Sequence, residues 1–258
     1  MRRRILIPAV IALLAAAWGT SSSAETVQNG NLRVTFNADF APHVLPRLRA
    51  APVKVEVEGR ISTTDGSHPP PLRWLEVKLN RNGRLYSKGL PVCAAPTLQS
   101  TSTETALARC RPALVGRGSF RAEVKLGREI PAAGKILAFN SRHAGKPALL
   151  LHLFAGAPVR FTLVVPLTIG QPGKGQFGTV LRAKIPRLGG DLGSVTEIDL
   201  TIGRQYSFAG KRRSYVSAAC GAPADLNEAI FPFARGGFRF EGHDTFEETL
   251  LRVCRVAG

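Results

Sequence analysis

Val53-Lys54-Val55-Glu56-Val57-Glu58 puts an apolar residue at every second position, with a charge between each pair. Only an extended strand sends successive side chains to opposite faces, so such a run has one buried and one wet side. The same period recurs along the chain. Leu32, Val34 and Phe36 alternate with Arg33, Thr35 and Asn37; Leu75, Val77 and Leu79 with Glu76, Lys78 and Asn80; Ile198, Leu200 and Ile202 with Asp199 and Thr201. Turn formers stand between the runs, among them Asp65-Gly66, Pro69-Pro70-Pro71, Asn82-Gly83 and Gly189-Gly190. Asn and Gly accept the positive φ that a tight hairpin requires. Further strands are predicted over 120–126, 135–140, 148–154, 159–167, 179–185 and 249–256. Leu149 to Leu151, with Leu153 and Phe154, is apolar on both faces, as in a central strand. Glu25 to Gly30 reads as a polar leader into the first of these strands. The pattern predicts an all-β protein of antiparallel, sandwich-like (Ig-like) units.

At 258 residues the chain has material for one large core or two smaller ones. Tyr215 to Pro223 echoes Gly89 to Pro96, each with one cysteine; Lys184-Ile185-Pro186-Arg187 resembles Val44-Leu45-Pro46-Arg47, and Ile198 to Arg204 resembles Leu75 to Arg81. An internal duplication would divide the chain into units 25–170 and 171–258. Shared β-strand grammar in one continuous domain would give the same likeness. One short helix is predicted near 102–110, where Thr101 and Glu104 have capping-box spacing ahead of Ala106, Leu107 and Ala108.

Arg2 to Arg4 precede an apolar run, Ile5 to Trp18, and Ser21-Ser22-Ser23-Ala24 supplies small residues where a signal peptidase cuts. Residues 1–24 are therefore expected to be an export leader, leaving a secreted or envelope-associated protein with no transmembrane anchor. The twin arginines lack the other marks of a Tat signal, so the Sec route is expected. Export places Cys93, Cys110, Cys220 and Cys254 in an oxidising compartment. Four cysteines allow three connectivities. Loop-closure entropy and the echo both favour Cys93–Cys110 with Cys220–Cys254. No paired C-x-x-C spacing suggests a metal.

The formal net charge is +17, of which Arg2, Arg3 and Arg4 contribute three, leaving +14 after leader removal. Such an excess attracts polyanions, although arginines scattered singly over a solvated surface would give the same total. The partner expected is an anionic cell-envelope polymer or another protein, with no specific nucleic acid. Gly170-Gln171-Pro172-Gly173-Lys174-Gly175 lacks the Ser or Thr that a phosphate loop places after its lysine, and reads as a turn. His43, His68, His143, His152 and His243 share no ligand spacing, and no Gly-x-Ser-x-Gly elbow accompanies them. Glu247 and Glu248 are adjacent and would face opposite sides of a strand. Trp74 is the one tryptophan after the leader, a thin supply for stacking sugars. No catalytic, cofactor-binding or metal-binding residue is assigned. The reading is a non-enzymatic binding or structural protein. Its alternative is a secreted hydrolase whose site is assembled from distant residues, with His43, His152 or His243 beside a carboxylate.

The stretches Gly59-Arg60-Ile61-Ser62-Thr63-Thr64-Asp65-Gly66, Leu90-Pro91-Val92-Cys93, Ala106-Leu107-Ala108-Arg109-Cys110 and Phe231-Pro232-Phe233-Ala234-Arg235 together resemble a group of uncharacterised exported proteins in actinobacteria. The resemblance implies export and β structure, and carries no activity or site residue.

Overall fold

Every alternating run forms a strand in the computed structural model, which describes residues 24–171, 175–188, 192–243 and 245–258. The expected leader lies outside these residues apart from Ala24, as does Lys174 of the Gly-rich turn. The first strands are β1 (Glu25–Asn29), β2 (Leu32–Ala41), β3 (Val44–Leu45), β4 (Ala51–Pro52), β5 (Lys54–Thr63), β6 (Leu72–Asn80) and β7 (Gly83–Leu85). Two short helices follow, α1 (Ala95–Leu98) and α2 (Thr103–Cys110). Four long strands come next: β8 (Leu114–Leu126), β9 (Arg128–His143), β10 (Lys146–Ala155) and β11 (Phe161–Gly170). The chain continues through β12 (Phe177–Lys184), β13 (Gly193–Ile202), β14 (Gln205–Phe208) and β15 (Lys211–Ser214). It ends with β16 (Val216–Ala218), β17 (Glu228–Phe240) and β18 (Thr245–Val256). The protein is all-β, as its alternation predicts.

Thirteen strands share one sheet, in the order β1-β2-β5-β13-β8-β9-β10-β11-β12-β6-β17-β18-β3. A sheet this wide accumulates enough twist to curl on itself. Here the curl brings β2 to β18, where buried Arg252 of β18 donates from Nε to the Ala38 carbonyl of β2 (2.9 Å) and from a terminal nitrogen to Asn37 Oδ1 (2.5 Å). Leu32 and Val34 of β2 pack with Phe240 and Phe246 along the same seam. A three-stranded sheet, β4-β16-β7, lies beside this curl, and β14-β15 forms a separate hairpin.

The boundary expected between 170 and 171 runs through this single sheet. Gly170 of β11 is paired with Val180 of β12, β13 stands between β5 and β8, and β12 and β17 both bond to β6. Strands from both sides of that boundary thus share one hydrogen-bonded layer and one core. Glu25–Asn29, read as a polar leader, is a strand. It folds back on β2 through Gly30 (φ +60°), and the Thr26 and Thr35 hydroxyls meet at 3.0 Å. Alternation does not mark it because Val27 is its one apolar residue, packed against the Leu32–Phe246 cluster, and a single residue sets no period.

The central strands are apolar on both faces because both are covered. Leu149, Leu153, Val165 and Leu167 face the interior, while Leu137, Phe139, Leu150 and Val164 pack outward beneath α1 and α2. The disulfide Cys93–Cys110 clips that helical segment to the sheet. The cap of α2 is Ser102, whose hydroxyl accepts from the Thr105 backbone N–H at 3.2 Å. Thr101, which has the capping-box spacing, instead bonds inward, and the helix begins one residue later. The second disulfide, Cys220–Cys254, ties the segment after β16 to β18 within the main core. The two echoed cysteine stretches therefore serve different places in the fold.

Candidate functional site

The register of β12, β6 and β17 sets the outer face of one wall of the curled sheet. Three rows run across it: Lys184, Trp74 and Arg239; Arg182, Glu76 and Gly237; Val180, Lys78 and Arg235. Their side chains point outward because Leu75, Val77 and Leu79 take the alternate positions and pack toward the interior. Gly237 leaves room for the Trp74 ring, since a Cβ there would sit 3.3 Å from Trp74 Cζ3. Arg239 stacks over Trp74 at 5.8 Å, and Arg235 over Phe177 at 5.3 Å, while Arg235 Nε donates to Thr249 Oγ1 (2.9 Å). Stacked guanidinium groups keep their edges available for anions.

Glu76 sits beneath this face with 10% of its side chain exposed, 2.9 Å from Lys78 Nζ and 2.5 Å from Arg182 Nε. Burial pushes its carboxyl up. Hydrogen bonds and charge from Lys78 and Arg182 outweigh that, and the net direction is down. With Glu247 opposite Gly237, the face carries five cations, Lys78, Arg182, Lys184, Arg235 and Arg239, against two carboxylates.

The wall across the interior is evenly charged. Its outward rows are Asp39, Glu56, Thr201 and Arg117; Asn37, Glu58, Asp199 and Ser119; Thr35, Arg60, Glu197 and Arg121. With Arg33 and Lys54 at the next outward positions of β2 and β5, five carboxylates there meet five cations. The cation excess of the first face is thus not repeated on this wall. No single strand reveals this, because the difference appears only when neighbouring strands are taken together.

The histidines do not converge. His43 Nε2 is 3.5 Å from Asp39 Oδ2 at the surface, with its ring against Phe40. His68 Nδ1 lies 3.4 Å from Glu123 and 3.9 Å from Glu129. His243 follows the end of β17, and the adjacent carboxylate, Asp244, lies outside the described residues. None of His43, His152 and His243 lines the interior space, where Tyr215 is buried, and the Arg60–Glu197 pair, 3.4 Å apart, stands on its outer surface. Glu247 and Glu248 stand opposite Gly237 and Gly236 on successive positions of β18, on alternate faces. Among the described residues no three His, Cys, Asp or Glu side chains gather to hold a metal ion, and no helix is long and apolar enough to cross a membrane.

His152 is fully buried beneath the helical clip. The Thr101 hydroxyl donates to the Leu98 carbonyl (2.8 Å), and His152 Nε2 lies 3.0 Å from both Thr101 Oγ1 and the Thr101 carbonyl. Nε2 therefore carries the ring proton, and Nδ1 has no partner. Desolvation lowers the His152 pKa from its ordinary 6.5, against the raising effect of the Thr101 carbonyl. A lowered histidine favours the neutral ring in the folded state. Its contribution is complete above about 6.5 and is lost as pH falls from there toward the folded value. Urea unfolding at pH 7.5 and 5.0 is expected to show a larger acid loss for the wild type than for His152→Asn; equal losses would remove His152 as the source.

Comparison with protein-family models, with curated proteins and with solved structures finds no match to this chain.

Proposed function

We propose that the protein is an exported, non-enzymatic binding protein of the cell envelope, and that the face formed by Lys78, Arg182, Lys184, Arg235 and Arg239 around Trp74 contacts an anionic envelope polymer. The uneven distribution of charge carries this reading: cations outnumber carboxylates five to two on one wall of the curled sheet, while on the opposite wall the two balance. A scattered excess would leave no preferred orientation, whereas this arrangement steers one face toward a negative surface. Arg182 and Lys184 project from β12 two residues apart, matching an extended polymer with regularly spaced charges. The disulfides and the leader-like first segment support export.

The test is co-sedimentation of the oxidised protein with purified envelopes across a salt series. Binding is expected to fall steeply with salt. The double reversal Lys184→Glu/Arg239→Glu is expected to weaken it by roughly 30-fold, at ~1 kcal/mol per surface cation. Lys125→Glu/Arg128→Glu, at the β8–β9 hairpin, changes net charge equally and is expected to bind almost as the wild type does. Equal losses in the two variants would mean that net charge acts without a defined face. Salt-insensitive binding would overturn the reading altogether.

A further inference from the structure

We propose that the interior of the curled sheet is a second, independent binding site, which takes one unbranched acyl chain of an amphiphile and leaves its polar head at the end beside exposed Pro186. The interior is enclosed but not filled. Two cavities of about 120 and 110 Å³ adjoin there, both lined by Leu75, Leu151, Leu167 and Ile198. Each approaches the ~150 Å³ of an apolar cavity that stays dry and binds benzene. Inward-facing Val55, Val57, Leu75, Val77, Leu151 and Ile198 are only half-buried, although they pack toward the core. The surface they leave uncovered is the wall of this space.

Its shape suits a chain. On β6 the first cavity touches Leu72 and Leu75 and the second Leu75, Val77 and Leu79, so the two follow one another along the strand. Leu72 to Leu79 spans about 23 Å at ~3.3 Å per residue, long and narrow rather than round. On the opposite wall Ile61, Gly59 and Ile198 accompany the first cavity, and Val57, Val55 and Leu200 the second.

Chemistry sets the orientation. The second cavity has no charged side chain, and Tyr215, fully buried there, has a hydroxyl without a hydrogen-bond partner. A head group with a charge has no counter-ion at that end and would stay unsolvated. The first cavity reaches exposed Pro186, where a head group meets water. The chain therefore enters tail first toward Tyr215. A free fatty acid and a lysophospholipid share this chemistry.

Fluorescence titration of the oxidised protein with cis-parinaric acid tests the site. Saturable uptake at one probe per protein is expected. Displacement by saturated fatty acids is expected to strengthen by roughly fourfold per methylene until the slot is full. Leu151→Phe, at the junction of the cavities, and Ile198→Phe, from the facing wall, are each expected to weaken uptake at least tenfold with an unchanged or raised urea midpoint. Lys184→Glu/Arg239→Glu is expected to leave uptake as it is, which separates this site from the basic face. Displacement by palmitate but not by lysophosphatidylcholine would identify the free acid, and displacement by both would identify the chain alone as the recognised feature. No uptake by the wild type, affinity indifferent to chain length, or wild-type uptake by both folded phenylalanine variants would overturn the proposal.

Discussion

Replacing Cys220 and Cys254 together by alanine is expected to lower the unfolding free energy by about 4 kcal/mol, the value that loop-closure entropy assigns to a bridge of this span. The two residues are 34 apart, and both are buried in the main core. The bridge acts where several weak links meet. Cys220 N–H donates to the Pro46 carbonyl (3.0 Å), Gly221 N–H to the Arg47 carbonyl (2.9 Å), and the Arg47 guanidinium to the carbonyls of Ala222 and Leu226. Without the covalent tie, the segment after β16 rests on these bonds, and β18 loses its anchor near the β3 edge. The Cys93→Ala/Cys110→Ala pair closes only 17 residues, for about 3 kcal/mol, and its loss falls on the helical clip. Urea unfolding with hydrogen exchange distinguishes the two. Faster exchange is expected across β18 in the first variant and across α2 in the second. Uniformly faster exchange in both would show that the two bridges do not act locally.

Arg252→Met is expected to cost about 3 kcal/mol, within the range for removing a hydrogen-bonded buried charge from its partners. Arg252 is 6% exposed, and its guanidinium reaches Ala38 O, Asn37 Oδ1 and the Leu251 carbonyl, with Asp39 Oδ1 at 3.6 Å. The methionine retains the packing of the stem but leaves these acceptors without a donor at the seam. Arg252→Lys is expected to recover only part of the loss, because one ammonium cannot span Ala38 and Asn37 as a planar fork does. Exchange at β2 and β18 should rise in both variants ahead of the central strands β9 and β10. A methionine variant as stable as the wild type would show that the seam closes through Leu32, Val34, Phe240 and Phe246 alone.

Much of the local structure was legible because it depends on near neighbours. Alternation in Val53–Glu58 and Leu75–Asn80 identifies strands, because only an extended backbone converts a period of two into two faces. The double apolar character of Leu149–Leu151 marks a central strand. The bridges Cys93–Cys110 and Cys220–Cys254 are the two local closures, which cost the least chain entropy. Where reading by pattern fell short, the pattern was missing: β1 has Val27 as its one apolar residue, and Thr101 turned inward to His152 instead of capping α2.

Sequence by itself determined the strands, their inward and outward faces and the residues available to the bridges. Only the tertiary structure decided that β13 inserts between β5 and β8, that β17 lies against β6, and that Arg252 closes the curl. Face is a property of each strand alone, whereas neighbour is a property of pairs. The entropy of joining two strands grows only with the logarithm of the loop between them, so distance along the chain selects partners weakly. The basic face and the apolar interior both arise from neighbours. One aligns Lys184, Trp74 and Arg239 from three separated strands, and the other sets Leu151 across from Ile198.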